Sequence, residues 1–219
     1  HIGMAQGNIP QDKKWLPSFQ QPTLDIFREV SEELCDNDWV IWPEAAIPIH
    51  YHIATQLLDE LEAHAKVTNT VFFTGIIYDE QFRGDYYNSI VAKGEGEGEY
   101  FKQRLVPFGE YVPMEKQLRG LINFFDLPTS IINIGPKNQS PIKAKGLAVS
   151  PYICYEIVYP DLVAIRAINS NVIITISNDA WFGRSNGPLQ HFEMARMRAI
   201  ETGRYVVRST NNGISAIIN

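Results

Sequence analysis

The residue types that could do covalent chemistry begin with Cys154. It closes the segment Leu147-Ala148-Val149-Ser150-Pro151-Tyr152-Ile153-Cys154, which reads as a strand running into a loop. A thiol at such a junction faces a cleft while the sheet fixes it, and the backbone N–H groups just after it can serve a developing oxyanion. The competing reading is a buried structural thiol, because free cysteine often behaves as a small core residue. Pro151 is awkward in a central strand, so the segment is expected to be bulged or at an edge.

A nucleophilic thiol needs a base. His191 is the nearest downstream histidine, but it lies among core positions of a helix and reads equally well as structural. Glu44 is the better candidate. It directly follows the apolar run Trp39-Val40-Ile41-Trp42, where partial desolvation would make its carboxylate a stronger base. Lys102, among aromatics in Tyr100-Phe101-Lys102-Gln103, is a fixed positive charge for an oxyanion if it points inward and an ordinary surface lysine if it does not. Glu110 follows the same segment and could hold Lys102 or Glu44 in place. His50 and His52 could supply two metal ligands, but two ligands do not make a site, and no metal or cofactor is expected.

Strands and helices must position these groups. Trp39 to Trp42, Thr70 to Ile77 and Val172 to Ser177 read as buried strands, and Ile2 to Gly7 as another. Leu24, Phe27, Val30 and Leu34 mark one helix, and Leu57, Leu58, Leu61 and Ala65 a second. A third starts near Pro188, carries Leu189, Phe192, Ala195 and Ala199 on one face, and closes at Gly203. Tyr86 to Ala92 and Glu99 to Val106 flank a glycine-rich turn and predict a hairpin. That turn alternates glycine with glutamate, which would repel phosphate, so it is no phosphate loop. The pattern predicts an α/β layered domain.

Hydrophobic residues make up 45% of the 219 residues and the net charge is -6, which excludes disorder and argues against binding nucleic acid through phosphates. Cys35 and Cys154 are too few for a disulfide framework. Strand-like runs at both ends predict a segment of a longer protein, with any membrane span outside this chain.

Three segments in this order resemble the Glu–Lys–Cys signature of the nitrilase (carbon-nitrogen hydrolase) superfamily. They are Trp42-Pro43-Glu44, Phe101-Lys102-Gln103-Arg104-Leu105-Val106-Pro107-Phe108-Gly109-Glu110 and Ile153-Cys154-Tyr155-Glu156. Together with Gln6-Gly7-Asn8-Ile9-Pro10, Lys14-Trp15, Asn178-Asp179-Ala180-Trp181-Phe182-Gly183 and Gln190 to Ala199, they resemble more narrowly the nitrilase-like domain of bacterial apolipoprotein N-acyltransferases. The resemblance covers nearly all of residues 1–219 and implies an αββα sandwich.

It also implies roles. Cys154 would be the nucleophile, Glu44 the general base and Lys102 the oxyanion stabiliser, with Glu110, Tyr155 and Glu156 in support. The implied reaction moves a fatty acyl chain from a phospholipid, through a Cys thioester, to the N-terminal amine of a diacylated lipoprotein. The implied location is the bacterial inner membrane, with this domain facing the periplasm. The apolar stretch Leu121 to Leu127, with Phe124 and Phe125, reads either as an arm touching acyl chain or membrane or as a short core helix. Trp15 and Trp181 read either as cleft-lining residues or as core anchors. The alternative function is a soluble amidase or nitrilase that hydrolyses a small C–N substrate.

Overall fold

The period-two side-chain alternation of the strands decides which layer each residue joins. The computed structural model describes residues 1–79, 84–107, 109–111 and 132–219. One sheet runs β1 (Ile2–Met4), β2 (Trp39–Ile41), β4 (Val71–Asp79), β5 (Tyr86–Gly94), β7 (Glu99–Phe101), with β3 (Ile47–His50) paired to β4. The other runs β12 (Ala216–Ile218), β11 (Tyr205–Thr210), β10 (Val172–Ser177), β9 (Leu147–Ile153), β8 (Ile142–Ala144), β6 (Gly96–Glu97). Trp39, Ile41, Val71 and Phe73 of the first sheet meet Val149, Val172, Ile174 and Ile176 of the second in a core between the sheets. Burying each such side chain contributes about 1.5–3 kcal/mol.

The intervening residues face outward onto helices. Val40 and Phe72 pack against α1 (Pro17–Glu32) and α2 (Thr55–Val67) through Leu24, Phe27, Leu57 and Leu58. Tyr152, Ile173 and Val206 pack against α3 (Pro160–Ala167) and α4 (Gly187–Thr202) through Val163, Ala195 and Ala199. The layers are therefore helix, sheet, sheet, helix, the αββα sandwich expected. Gly203 closes α4 in the left-handed conformation at φ 60°, donating its N–H to Ala199 O at 2.9 Å.

Several boundaries differ from the sequence expectation. The first strand stops at Met4 rather than Gly7. The hairpin forms, pairing Ile90 with Tyr100, but β7 ends at Phe101, and its turn carries β6 across to pair with β8 of the other sheet. Pro151 pairs with Ile174 in the interior of the second sheet, yet β8 covers β9 only up to Val149. Beyond that point β9 has no strand partner on that side among the described residues, which is where a residue without an N–H fits. Leu189 is 57% exposed, and the inward face of α4 is made by His191, Ala195, Arg198 and Ala199 instead. Phe124, Phe125 and the Leu121 to Leu127 stretch lie outside the described residues.

Candidate active site

Glu44 leaves the end of β2 in a tight turn that crosses β4 at Gly75. A Cβ at position 75 would lie 2.6 Å from Ala45 N and 2.6 Å from Pro43 O, so only glycine admits this approach. Ala45 is left-handed at φ 45°. The turn brings the Glu44 carboxylate into the protein interior. Asn88 Nδ2 donates to its Oε1 at 2.8 Å, and Lys102 Nζ lies 3.8 Å from the same oxygen. Its Oε2 is buried and has no hydrogen-bond partner among the described residues. One oxygen is held while the other is left to accept a proton.

Lys102 follows β7 and is 1% exposed, which rules out the surface-lysine reading. Its N–H donates to Asn88 O at 2.8 Å and its carbonyl accepts from Gly135 N at 2.8 Å, so the backbone is pinned on both sides. Nζ donates to Glu110 Oε1 at 2.8 Å. Burial disfavours the ammonium, but the charges of Glu44 and Glu110 and the position of Cys154 outweigh it and hold the pKa above the usual lysine value. Glu110 is itself oriented by the Val106 N–H at 2.9 Å and by Asn88 Nδ2 at 3.2 Å.

Cys154 stands at the end of β9 with φ 54°, left-handed for a residue with a Cβ. It borders the core between the sheets and lies within the field of Glu44, Lys102 and Glu110. Burial pushes the thiol up to about 12, Glu44 adds to this, and Lys102 and the Ser177 hydroxyl oppose it. At neutral pH such a thiol is ionised to roughly one part in 10⁵. Proton removal must therefore accompany attack, and a neighbouring carboxylate oxygen without a partner can perform it.

Glu156 accepts four hydrogen bonds. It is fully buried in the 3₁₀ turn after Cys154. Oε2 accepts the Ile153 N–H at 2.9 Å, and Oε1 accepts from Tyr100 OH at 2.9 Å, Gln103 N at 2.7 Å and Arg104 N at 3.0 Å. It braces the strand end carrying Cys154 against the segment carrying Lys102. Burial raises its pKa, against the opposing effects of Lys102 and these backbone N–H groups. Tyr155 is half-buried with its ring 6.1 Å from that of His191.

His191 is 2% exposed and does not address the sulfur, since its Nε2 lies 3.1 Å from Cys154 O. The Cys–His pairing left open by the sequence is thus replaced by a contact to the cysteine backbone. His52 Nδ1 pairs with Asp79 Oδ2, and no cluster of three potential metal ligands occurs among the described residues. Trp15 and Trp181 are 47% and 62% exposed, so neither is a core anchor. Trp15 follows Lys14 in sequence, and Trp181 lies two residues after Asp179.

Two residues of the site carried no sequence signal for their roles. Asn88 bridges Glu44 and Glu110. Lys14 is 3% exposed and donates from Nζ to Glu44 O at 2.8 Å. Burial lowers its pKa to about 8, partly offset by Glu44 and Cys154. Strand alternation in β5 hinted that Asn88 faces a layer, and Lys14 stood in a motif segment, but neither clue names a partner.

Residues 2–219 match the carbon-nitrogen hydrolase family. The chain is 48% identical over 217 residues to an apolipoprotein N-acyltransferase of Pseudomonas aeruginosa, covering 98% of this chain and 42% of that protein. It is 46% identical over 222 residues to that of Azotobacter vinelandii, covering 100% of this chain and 43% of the relative. The chain thus spans less than half the length of these relatives. Among solved structures, a carbon-nitrogen hydrolase from Helicobacter pylori matches with a TM-score of 0.67 at 15% identity, covering 98% of this chain and 74% of that one. Saccharomyces cerevisiae Nit3, a member of branch 10 of the nitrilase superfamily, matches with a TM-score of 0.65 at 16% identity, covering 95% and 74%. These structures share the αββα fold, and with the family match over almost every residue they place this chain in the carbon-nitrogen hydrolase family.

Proposed function

We propose that this chain is the catalytic domain of an apolipoprotein N-acyltransferase, with Cys154 as nucleophile, Glu44 as general base and Lys102 as oxyanion stabiliser. The observation that carries the reading is 48% identity over 98% of the chain to a protein of that name. The cluster of Glu44, Lys102, Glu110 and Cys154 supports it chemically.

In the first half-reaction Glu44 Oε2 takes the thiol proton as sulfur attacks an ester carbonyl of a phospholipid. Lys102 faces the tetrahedral oxyanion, kept cationic by Glu110. Collapse breaks the ester C–O bond, and the lysophospholipid leaves with the proton from Glu44. In the second half the N-terminal amine of a diacylated lipoprotein attacks the thioester, Glu44 takes the amine proton, and the C–S bond breaks. The thiolate recovers that proton. Trp15, Trp181, Phe124 and Phe125 belong to acyl-chain binding in this reading. Two of them, Trp15 and Trp181, are exposed.

The domain would act at the bacterial inner membrane, facing the periplasm, held there by segments outside this chain. No helix among the described residues is long and apolar enough to cross a membrane.

The test supplies the full-length protein with a phospholipid and a synthetic diacylated lipopeptide, and separately with small primary amides. N-acylated lipopeptide, lost in Cys154→Ala, is the expected product. Amide hydrolysis without lipopeptide acylation would replace this reading with a hydrolase of small C–N substrates.

A further inference from the structure

Next to Cys154, four buried polar residues form a connected chain. Ser177 ends β10, Asp179 opens the following 3₁₀ turn, His191 lies in the first turns of α4, and Arg208 lies on β11. Their exposures are 0%, 1%, 2% and 0%. Asp179 Oδ2 accepts from Arg208 Nη2 at 2.7 Å, and Asp179 Oδ1 accepts from Ser177 Oγ at 2.8 Å. His191 Nδ1 lies 3.0 Å from Asp179 Oδ1 and 3.2 Å from Arg208 Nη2. His191 Nε2 lies 3.1 Å from the carbonyl oxygen of Cys154, so Nε2 carries a proton and donates it, while Nδ1 accepts from Arg208 Nη2 in the neutral ring and donates to Asp179 Oδ1 in the imidazolium.

That carbonyl belongs to the peptide joining Cys154 to Tyr155. The peptide is planar and trans, so its N–H points opposite to its C=O. Fixing the oxygen toward His191 aims the Tyr155 N–H the other way. The left-handed φ of 54° at Cys154 is strained for a residue with a Cβ and needs such a restraint to persist. Glu156 holds the preceding peptide through the Ile153 N–H at 2.9 Å, and His191 holds the following one.

We propose that His191, locked by Asp179 and Arg208, is a positioning residue that sets the 154–155 peptide so that the Tyr155 N–H serves the oxyanion formed at Cys154. The inference rests on Cys154 being the nucleophile but not on which acyl group it carries. Ser177 extends the same cluster to the thiol. Its hydroxyl donates to Asp179 Oδ1 at 2.8 Å and favours the Cys154 thiolate.

The test compares two amides at position 191 in the full-length protein. His191→Gln keeps a donor near the Nε2 position, whereas His191→Asn keeps only one near Nδ1. The readout is Cys154 acylation by a p-nitrophenyl ester in single turnover, alongside the thermal midpoint. His191→Asn is expected to lose about 10- to 100-fold in the acylation rate at unchanged KM, and His191→Gln to recover most of it, with similar midpoints for both. Equal losses in the two variants, or acylation within about twofold of wild type in His191→Asn, would overturn the proposal. A structure of the wild-type Cys154 acyl adduct is a second check that needs no variant. The adduct oxygen is expected about 2.7–3.1 Å from Tyr155 N, and a Tyr155 N turned away from it would also overturn the proposal. Failure of Cys154→Ala to abolish acylation would instead remove the nucleophile assignment itself.

Discussion

Glu156 Oε1 accepts the backbone N–H of Gln103 at 2.7 Å, joining residues 53 apart in sequence. The same carboxylate takes the Ile153 N–H, so one buried side chain sets the spacing between the Cys154 turn and the Lys102 segment. Glu156→Ala would leave buried donors unpaired, each worth about 1–3 kcal/mol. The variant is expected to lose about 3–5 kcal/mol of stability, measured by urea unfolding. Glu156→Gln turns one acceptor oxygen into a donor facing another N–H and is expected to cost less. Wild-type unfolding of the alanine variant would show that the brace carries no weight.

Lys14 predicts an unusual pH dependence. Its folded pKa is lowered to about 8 from 10.5 by burial. Between these values the unfolded chain binds more protons than the folded one, so this group makes stability rise with pH across that window. The size is about 3 kcal/mol at most. The difference in unfolding free energy between wild type and Lys14→Met, followed from pH 7.5 to 10, is expected to change in this direction. A pH-independent difference would mean that Lys14 is charged or exposed alike in both states.

Glu44 raises the Cys154 thiol by its charge while serving as its base in the proposed reaction. Glu44→Gln is therefore expected to make the thiol more acidic while slowing acyl transfer. The pH midpoint for iodoacetamide alkylation of Cys154 should fall, and acyl transfer should drop by about 10³-fold or more. An unchanged alkylation midpoint would place Glu44 too far from the sulfur to matter.

Asn88 donates to Glu44 Oε1 and Glu110 Oε1 from one nitrogen. Asn88→Asp would set a third carboxylate against a single ammonium. A loss of about 10²-fold in acylation is expected, with Asn88→Gln intermediate. An unaffected rate in Asn88→Asp would show that Lys102 alone orders the two glutamates.

The layers were legible because the strands alternate cleanly. In β10, Val172, Ile174 and Ile176 face one core while Ile173 faces the other. Glu44, Lys102 and Cys154 were legible as motif residues. Their environment was not, because it depends on which segments the fold brings together. The Asn88 bridge, the Lys14 bond to Glu44 O and the His191 bond to Cys154 O span 44, 30 and 37 residues. Leu189 misled for a related reason: helical spacing alone does not say which stripe meets the sheet, and here His191 and Arg198 share the inward face with alanines.

The central claim is that Cys154 carries the acyl group. Intact-mass analysis of the full-length protein after exposure to phospholipid, without acceptor peptide, tests it most directly. An added fatty acyl mass that hydroxylamine removes and that Cys154→Ala abolishes is the predicted result. No adduct on protein that still consumes phospholipid, or an adduct that persists in Cys154→Ala, would contradict the account.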